Sequence, residues 1–458
     1  MITKYIKLSL VPMLVFSALF IGCSDDDINN FDKTPTERLE EAKSEMSKAL
    51  LSAKDGWKMI YFTDNNQFGG YTHIMKFEAD GKVKMISDFD NTSITPSISD
   101  FELKSSYAPA LVFTTKNKIH LLSDSNNSPG AQQGAGYKGD FEFVFDKIDE
   151  KGDIHFRTSR NNVKIVFQKA KAEDWTSIDK NFKTEDAALV GTENDPFFSV
   201  MEIKEGNKVK SYMFSYNKQR RFMDLSLPDP LDTFNDGYGI GLKDNSIVLN
   251  PAVKVGNEEL SEFFYDTTSK AYVAKGSQGQ VSLKFTDEVS DGSAFELGNT
   301  ILQGEKLVTT HIKLFSGLDG KGNTPYGKKM VADARSTSNG TIARVFLMFN
   351  LVEGGEIVNK IDYYFSGNVI ISHYVDIVRG ENNAVILKHK KWSTSSLLIT
   401  ESLRKLDNHM LDPKGLLFKR ENYNVVYPFP IVTLKAVSSL SSRKTAFALS
   451  NYDSTAQN

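Results

Sequence analysis

The chain has 458 residues, with 55 Lys and Arg against 58 Asp and Glu and a formal net charge of −3. That length exceeds one ordinary core and predicts two or three domains, and the near balance without a basic stripe excludes nucleic acid as a partner. A single cysteine excludes intramolecular disulfides, while 31 Phe and 17 Tyr suit β-sheet cores and surfaces that face carbohydrate or peptide.

The chain opens on a positive segment carrying Lys4 and Lys7. The apolar run from Leu8 to Ile21 follows, interrupted by Ser9, Pro12 and Ser17. A membrane span needs roughly 20 apolar residues, so this shorter run reads as the core of a signal peptide. It ends at Gly22-Cys23, and Cys23 is the chain's one cysteine. Leu19 to Cys23 resembles the lipobox of bacterial lipoproteins, although Phe20 replaces the usual small aliphatic residue. The resemblance implies cleavage before Cys23 and lipidation of its thiol. Acyl chains, each worth about 0.8 kcal/mol per buried CH₂, then hold the protein on a membrane. Ser24-Asp25-Asp26-Asp27 is similar to the acidic export signal of Bacteroidetes lipoproteins, which implies display on the outer face of the outer membrane. No later segment is apolar enough to span a bilayer.

Residues 23–33 read as an acidic tether. A helix is predicted next: Thr34 is an N-cap, Pro35 fits the first turn, and Glu37 completes a capping box. Leu39, Ala42, Met46, Ala49, Leu50 and Ala53 form its apolar stripe, and Gly56 is placed to end it. The period then changes to two. Strands are expected at Trp57–Phe62, Tyr71–Glu78 and Val83–Ile86, with Ala79-Asp80-Gly81-Lys82 as a hairpin turn. A further hairpin is expected from Leu111–Phe113 and Ile119–Leu122. Phe141–Phe145, Ile154–Thr158 and Val163–Phe167 continue the meander.

Ala170 to Val190 reads as a helical connector. Strands resume from Phe197 to Phe285, and a Gly/Ser/Asp-rich boundary spans Asp287 to Asn299. The remainder repeats the strand texture, with a helix expected within Ser395–Met410. The fold class is therefore mainly β: antiparallel sheets, barrel- or sandwich-like, with an N-terminal amphipathic helix and few others. An echo of Gly239–Ala274 in Gly415–Leu449 reads either as repeated β units or as shared strand composition. The organisation reads as signal peptide 1–22, tether 23–33, helix and β unit 34–180, second β unit 181–290, and a C-terminal β-rich unit 291–458 with one helix.

Gly56-Trp57, Tyr61-Phe62, Gly69-Gly70-Tyr71, Phe77, Asp80-Gly81, Val83 and Gly136-Tyr137-Lys138-Gly139-Asp140-Phe141-Glu142-Phe143 stand in order. Together they resemble the domain of unknown function 4302 family of Bacteroidetes lipoproteins, over roughly Thr34 to Phe285. The resemblance implies a surface lipoprotein beside an outer-membrane uptake system, and no established activity.

Catalytic signatures are missing. Gly134 to Gly139 spells GxGxxG, but it leads from a loop into a strand, so no helix N-terminus is available for a pyrophosphate. The histidines at 73, 120, 155, 311, 373, 389 and 409 show no metal-binding spacing, and His73 and His120 read as structural strand residues. There is no GxSxG elbow. Asp319-Gly320-Lys321-Gly322-Asn323 lacks the alternating oxygen ligands of a calcium loop. Trp57, Tyr61 and Tyr71 read either as a sugar platform or as core, and Trp57 suits the core. Asp266-Thr267-Thr268 and Asp453-Ser454-Thr455 resemble Bacteroidetes O-glycosylation sites. Cys23, as the lipidation site, is the one functional assignment; no catalytic, cofactor or metal residue is assigned. The expected role is a non-catalytic surface component that binds a glycan or peptide ligand, or assists an outer-membrane transporter. The alternatives are a surface hydrolase with carboxylates gathered from several strands, and a structural or adhesive surface protein.

Overall fold

A computed structural model describes residues 33–448 except 106–107, 128, 130–133, 135, 192–194, 227–233, 287–297, 299–300, 305, 309–311, 314–341, 367–368, 396–398, 422–430 and 437–444. Cys23, the acidic tract, His311, residues 319–323 and residues 453–455 lie outside the described residues. The protein is mainly β and its strand pairing is antiparallel, as the alternating pattern predicts. Among the described residues no helix is long and apolar enough to cross a membrane.

Helix α1 runs Pro35–Ser52 behind the predicted Thr34–Glu37 capping box. Met46 and Leu50 are its buried face. Gly56 has a different role from the helix stop that the sequence predicts, because Ala53 is the C-cap. Gly56 sits at φ +83°, and a Cβ there would lie 2.2 Å from the Met75 carbonyl oxygen. Trp57 is fully buried and its indole N–H donates to the Leu50 carbonyl (2.9 Å), tying the helix to the first strand.

The first sheet is a closed eight-stranded barrel: β1 (Trp57–Phe62), β2 (Gly70–Phe77), β3 (Lys82–Ser87), β4 (Ser97–Ser105), β5 (Pro109–Phe113), β6 (Glu142–Ile148), β7 (Ile154–Thr158) and β8 (Lys164–Lys169). Trp57 pairs with Lys169 to close it. Strand β4 has no counterpart among the predicted elements. Residues 118–122 form a 3₁₀ helix instead of the predicted return strand, so His120 is not a strand residue. Asn117 caps that turn, its side chain accepting from the Ile119 N–H. Asx capping offers the backbone a local alternative to a strand ladder.

A helical connector follows as expected, with α2 (Asp174–Ser177), α3 (Lys180–Glu185) and a π turn at Asp186–Val190. The second barrel is also closed and eight-stranded: β9 (Phe198–Glu205), β10 (Lys208–Asn217), β11 (Phe222–Ser226), β12 (Gly237–Lys243), β13 (Ser246–Val255), β14 (Glu258–Asp266), β15 (Ala271–Lys275) and β16 (Gly279–Thr286). Strand β16 closes onto β9 from Gly279–Glu205 to Thr286–Phe198.

The barrels meet along glycines. A Cβ at Gly69 would fall 2.1 Å from the Arg221 carbonyl oxygen and 2.5 Å from that of Ile240. At Gly241 it would fall 2.7 Å from Ile60 Cγ2. Strand β12 can therefore lie close against the outside of β1 and β2. Polar groups seal the contact: Thr72 donates to the Leu242 carbonyl (2.6 Å) and Tyr71 to that of Gln219 (2.8 Å).

Arg221 anchors the seam. Its guanidinium is buried, donating to Asp88 Oδ1 (2.7 Å), the Asp88 carbonyl (2.6 Å) and the Gly70 carbonyl (3.2 Å). It lies 4.5 Å over the Tyr71 ring and 3.8 Å from Glu185. Asn181 and the Thr72 N–H donate to the same Asp88 carboxylate. Burial pushes the Glu185 carboxyl up, against the pull of Arg221 and the Tyr216 hydroxyl.

The third sheet has nine strands: β17 (Leu307–Val308), β18 (Ile312–Lys313), β19 (Ile342–Glu353), β20 (Glu356–Phe365), β21 (Ile370–Arg379), β22 (Val385–Trp392), β23 (Leu416–Glu421), β24 (Ile431–Ala436) and β25 (Thr445–Ala448). The predicted C-terminal helix is shorter than its 395–410 window; α4 spans Glu401–Asn408 behind the Thr400 cap. Leu403, Leu406 and Met410 pack into the same core as Ile361, Tyr363, Ile371 and Val375 of the sheet.

Candidate functional site

Where α4 crosses the third sheet, His373, His389 and Asp407, from three different elements, line a cavity of about 490 Å³, and Tyr363 backs Asp407 from a fourth. Strand β21 alternates, so Ile371, His373 and Val375 are buried on the inner face. Strand β20 supplies Tyr363 beside it, since Ile361 pairs with His373. In α4, Asp407 stands four residues after Leu403 and directly after Leu406, so the stripe that docks the helix also buries this carboxyl.

Strand β22 supplies two more groups through an irregularity in its register. Tyr374 pairs with Lys391 and Val375 with His389, so Lys390 is the extra residue of a β-bulge. Val385, Leu387 and His389 follow one phase, and the bulge shifts the phase so that Trp392 also reaches His373. Trp392 stacks on the His373 ring at 4.1 Å and 11°.

These groups form a chain of hydrogen bonds. Tyr363 donates its O–H to Asp407 Oδ1 (2.7 Å). His373 Nδ1 is 2.8 Å from the same oxygen, and His373 Nε2 is 2.7 Å from His389 Nδ1. Asp407 Oδ1 accepts from Tyr363, and the His373 tautomer that also donates to it carries its proton on Nδ1 and presents a lone pair at Nε2. His389 then donates from Nδ1, which leaves its own Nε2 unprotonated at the outer end. His373 and Asp407 are buried, whereas His389 is exposed. Burial and the Asp407 charge push the Tyr363 hydroxyl well above its ordinary range, so it stays a donor. Thr394, Ile399, Arg404 and Asn408 complete much of the wall. Among the described residues no group of three or more His, Cys, Asp or Glu could hold a metal ion.

Sequence reasoning lists His373 and His389 but does not pair them, because His389 lies on an unassigned strand and Asp407, which orients His373, comes from a helix beyond it. The other residues singled out by sequence go elsewhere. Trp57, Tyr61 and Tyr71 are buried in the first barrel, which excludes the sugar platform. Gly134 and Gly136 lie in turns that lead to β6, a strand, so the dinucleotide fingerprint is absent in structure as well. His155 pairs with Asp149 (3.0 Å) at the first barrel's surface. Asp266 opens an exposed turn, accepting from the Thr268 and Ser269 N–H groups.

No curated protein matches the sequence. Among solved structures, the DNA polymerase sliding clamps of Caulobacter crescentus and Bacillus subtilis each align at 8% identity and a TM-score of 0.16. The Caulobacter alignment covers 88% of this chain and 92% of the clamp, the Bacillus alignment 91% and 98%. Likenesses this slight bear on neither fold nor partner. The profile of the family described as domain of unknown function (DUF4302) matches residues 26–267. That stretch holds α1, the first barrel, the glycine seam and the second barrel through β14, and it stops short of the cavity. Because the match spans more than half of the chain, the protein belongs to the DUF4302 family.

Proposed function

We propose that this protein is a lipid-anchored surface protein that holds a small polar ligand in its C-terminal cavity and serves an outer-membrane uptake system. The cavity carries the reading: a buried Tyr363–Asp407–His373 array orients an exposed imidazole beside Trp392 and Arg404. Concave sites with an aromatic wall and a few convergent polar groups are the usual form of ligand sites. The anchor reading rests on Cys23 and its flanking sequence. Binding is favoured over hydrolysis because, among the described residues, the cavity wall holds one carboxyl group, Asp407, and it is already engaged by two donors; carboxylate glycosidases use a facing pair.

A glycan and peptide array probed with the purified full-length protein tests the binding half. Binding to at least one ligand class is expected, and silence across all of them overturns it. Cys23→Ser tests the anchor. The variant is expected to leave the membrane fraction while keeping the circular dichroism of a β protein. Retention of the variant with outer membranes contradicts the lipid anchor.

A further inference from the structure

The hydrogen-bonded chain at the cavity has two arrangements that differ by one proton and require no heavy atom to move. In the first, His373 is neutral, its Nε2 accepts from His389 Nδ1–H, and His389 Nε2 is a bare lone pair. A proton that arrives at His389 Nε2 lets the Nδ1 proton cross the 2.7 Å gap to His373 Nε2. His373 is then an imidazolium that donates to Asp407 from one nitrogen and to His389 from the other. The added charge sits beside the buried Asp407 carboxylate, where it is compensated. The outer nitrogen of His389 has changed from acceptor to donor.

Arg404 is the second element. The residue lines the cavity, is exposed, and has no ion-pair partner among the described residues. The other charged groups on the elements packed here are Lys388, Lys390 and Lys391 on β22, Asp376 and Arg379 on β21, Glu356 on β20, and Glu401 and Lys405 on α4, all exposed. Strand β20 adds the Lys360–Asp362 pair (3.4 Å), where Asp362 is buried but pairs with Ser372 and so points to the face away from His373. Lys390 is held by Asp376 (3.2 Å) and Lys391 lies over the Tyr374 ring. One planar guanidinium and one imidazole N–H match a single carboxylate better than a dianion.

We propose that the cavity takes up a small carboxylate anion together with one proton, Arg404 meeting the negative charge and His389 Nε2–H donating to it. The proposal rests on the ligand-seat reading above and names the class of ligand. Because the anion and one proton bind together, carboxylate affinity rises as pH falls. Coupling to a single proton limits that rise to about tenfold per pH unit.

Calorimetric titration of the full-length protein in detergent tests this, with acetate, benzoate and glucuronate set against acetamide, benzamide and glucose. Titrations at several values between about pH 5 and 8 cover the range in which histidine changes charge. At least one acid is expected to bind more tightly than its neutral counterpart, to strengthen on acidification, and to show proton uptake when buffers of different ionisation enthalpy are compared. His389→Gln, at an exposed position, is expected to remove the pH dependence, and Arg404→Ala to remove the preference for the acid. Carboxylate binding that ignores pH overturns the proton coupling. Equal binding of acid and neutral partner overturns the carboxylate assignment and leaves the ligand-seat reading standing. No binding by any of the six overturns this proposal, and the array result then decides the seat separately.

Discussion

Replacement of Arg221 by methionine is expected to destabilise the paired barrels by about 3–5 kcal/mol, the cost of leaving a buried charge without its partner. The guanidinium is buried and makes three hydrogen bonds to the Asp88 carboxylate, the Asp88 carbonyl and the Gly70 carbonyl. Methionine fills much of the same volume but leaves Asp88 facing Asn181 and the Thr72 N–H alone. Glu185, 3.8 Å from the arginine, loses the same cation. Arg221→Lys is expected to recover part of the loss, since an ammonium restores charge but not the planar fork that reaches two oxygens of Asp88 together. Guanidinium chloride unfolding followed by circular dichroism measures both variants. A loss below about 1 kcal/mol for the methionine variant contradicts the assigned role of the seam.

The second large effect concerns acid stability. His73 is wholly buried inside the first barrel, and neither ring nitrogen has a protein partner. Burial pushes its pKa down to about 3, with the Arg221 charge adding to the shift. The unfolded chain binds a proton near pH 6.5, whereas the folded chain does not do so until about pH 3. The unfolded state therefore binds more protons in that window, and stability falls as the pH drops through it. At about 1.4 kcal/mol per pH unit, this single group removes roughly 4–5 kcal/mol across the window. His73→Leu is expected to abolish this component and move the acid-unfolding midpoint downward. It is also expected to stabilise the barrel at neutral pH, because two unpaired buried polar atoms are removed. An unchanged acid midpoint in the leucine variant contradicts the assignment.

Much of this fold is legible in the sequence for local reasons. The Thr34–Glu37 capping box sets the start of α1, alternation marks β1, and the Ala79-Asp80-Gly81-Lys82 turn sets where β2 ends and β3 begins. The segments that escape sequence reading are those where local and distant demands part. Residues 118–122 carry strand-like apolar residues, yet Asn117 caps them into a 3₁₀ turn. The Gly69-Gly70 pair carries no stated purpose in the sequence: Gly69 is required by the backbone of Arg221 and Ile240 from the second barrel, and Gly70 by the side chains of Ile60 and Phe62 on the neighbouring strand. The site is hidden for a related cause. Val385-Ile386-Leu387 is a short apolar run followed by Lys388-His389-Lys390-Lys391, and the Lys390 bulge breaks the period-two pattern that marks a strand. A His-x-Lys-Trp sequence after an apolar run, opposite Ser372-His373, is the one signal that could have joined the two histidines. Asp407 carries no signal of its own in the sequence, because the burial of that helix face depends on the sheet beneath it.

The central claim is that the C-terminal cavity holds the ligand, and one comparison addresses it most directly. The strongest ligand from the array is titrated into the wild-type protein and into Thr394→Trp, whose added indole fills space at a wall residue of the cavity. Binding to the wild type is expected, with a loss of at least about tenfold, or about 1.4 kcal/mol, in the variant. Equal affinity in the two proteins contradicts the claim and moves the ligand to another surface.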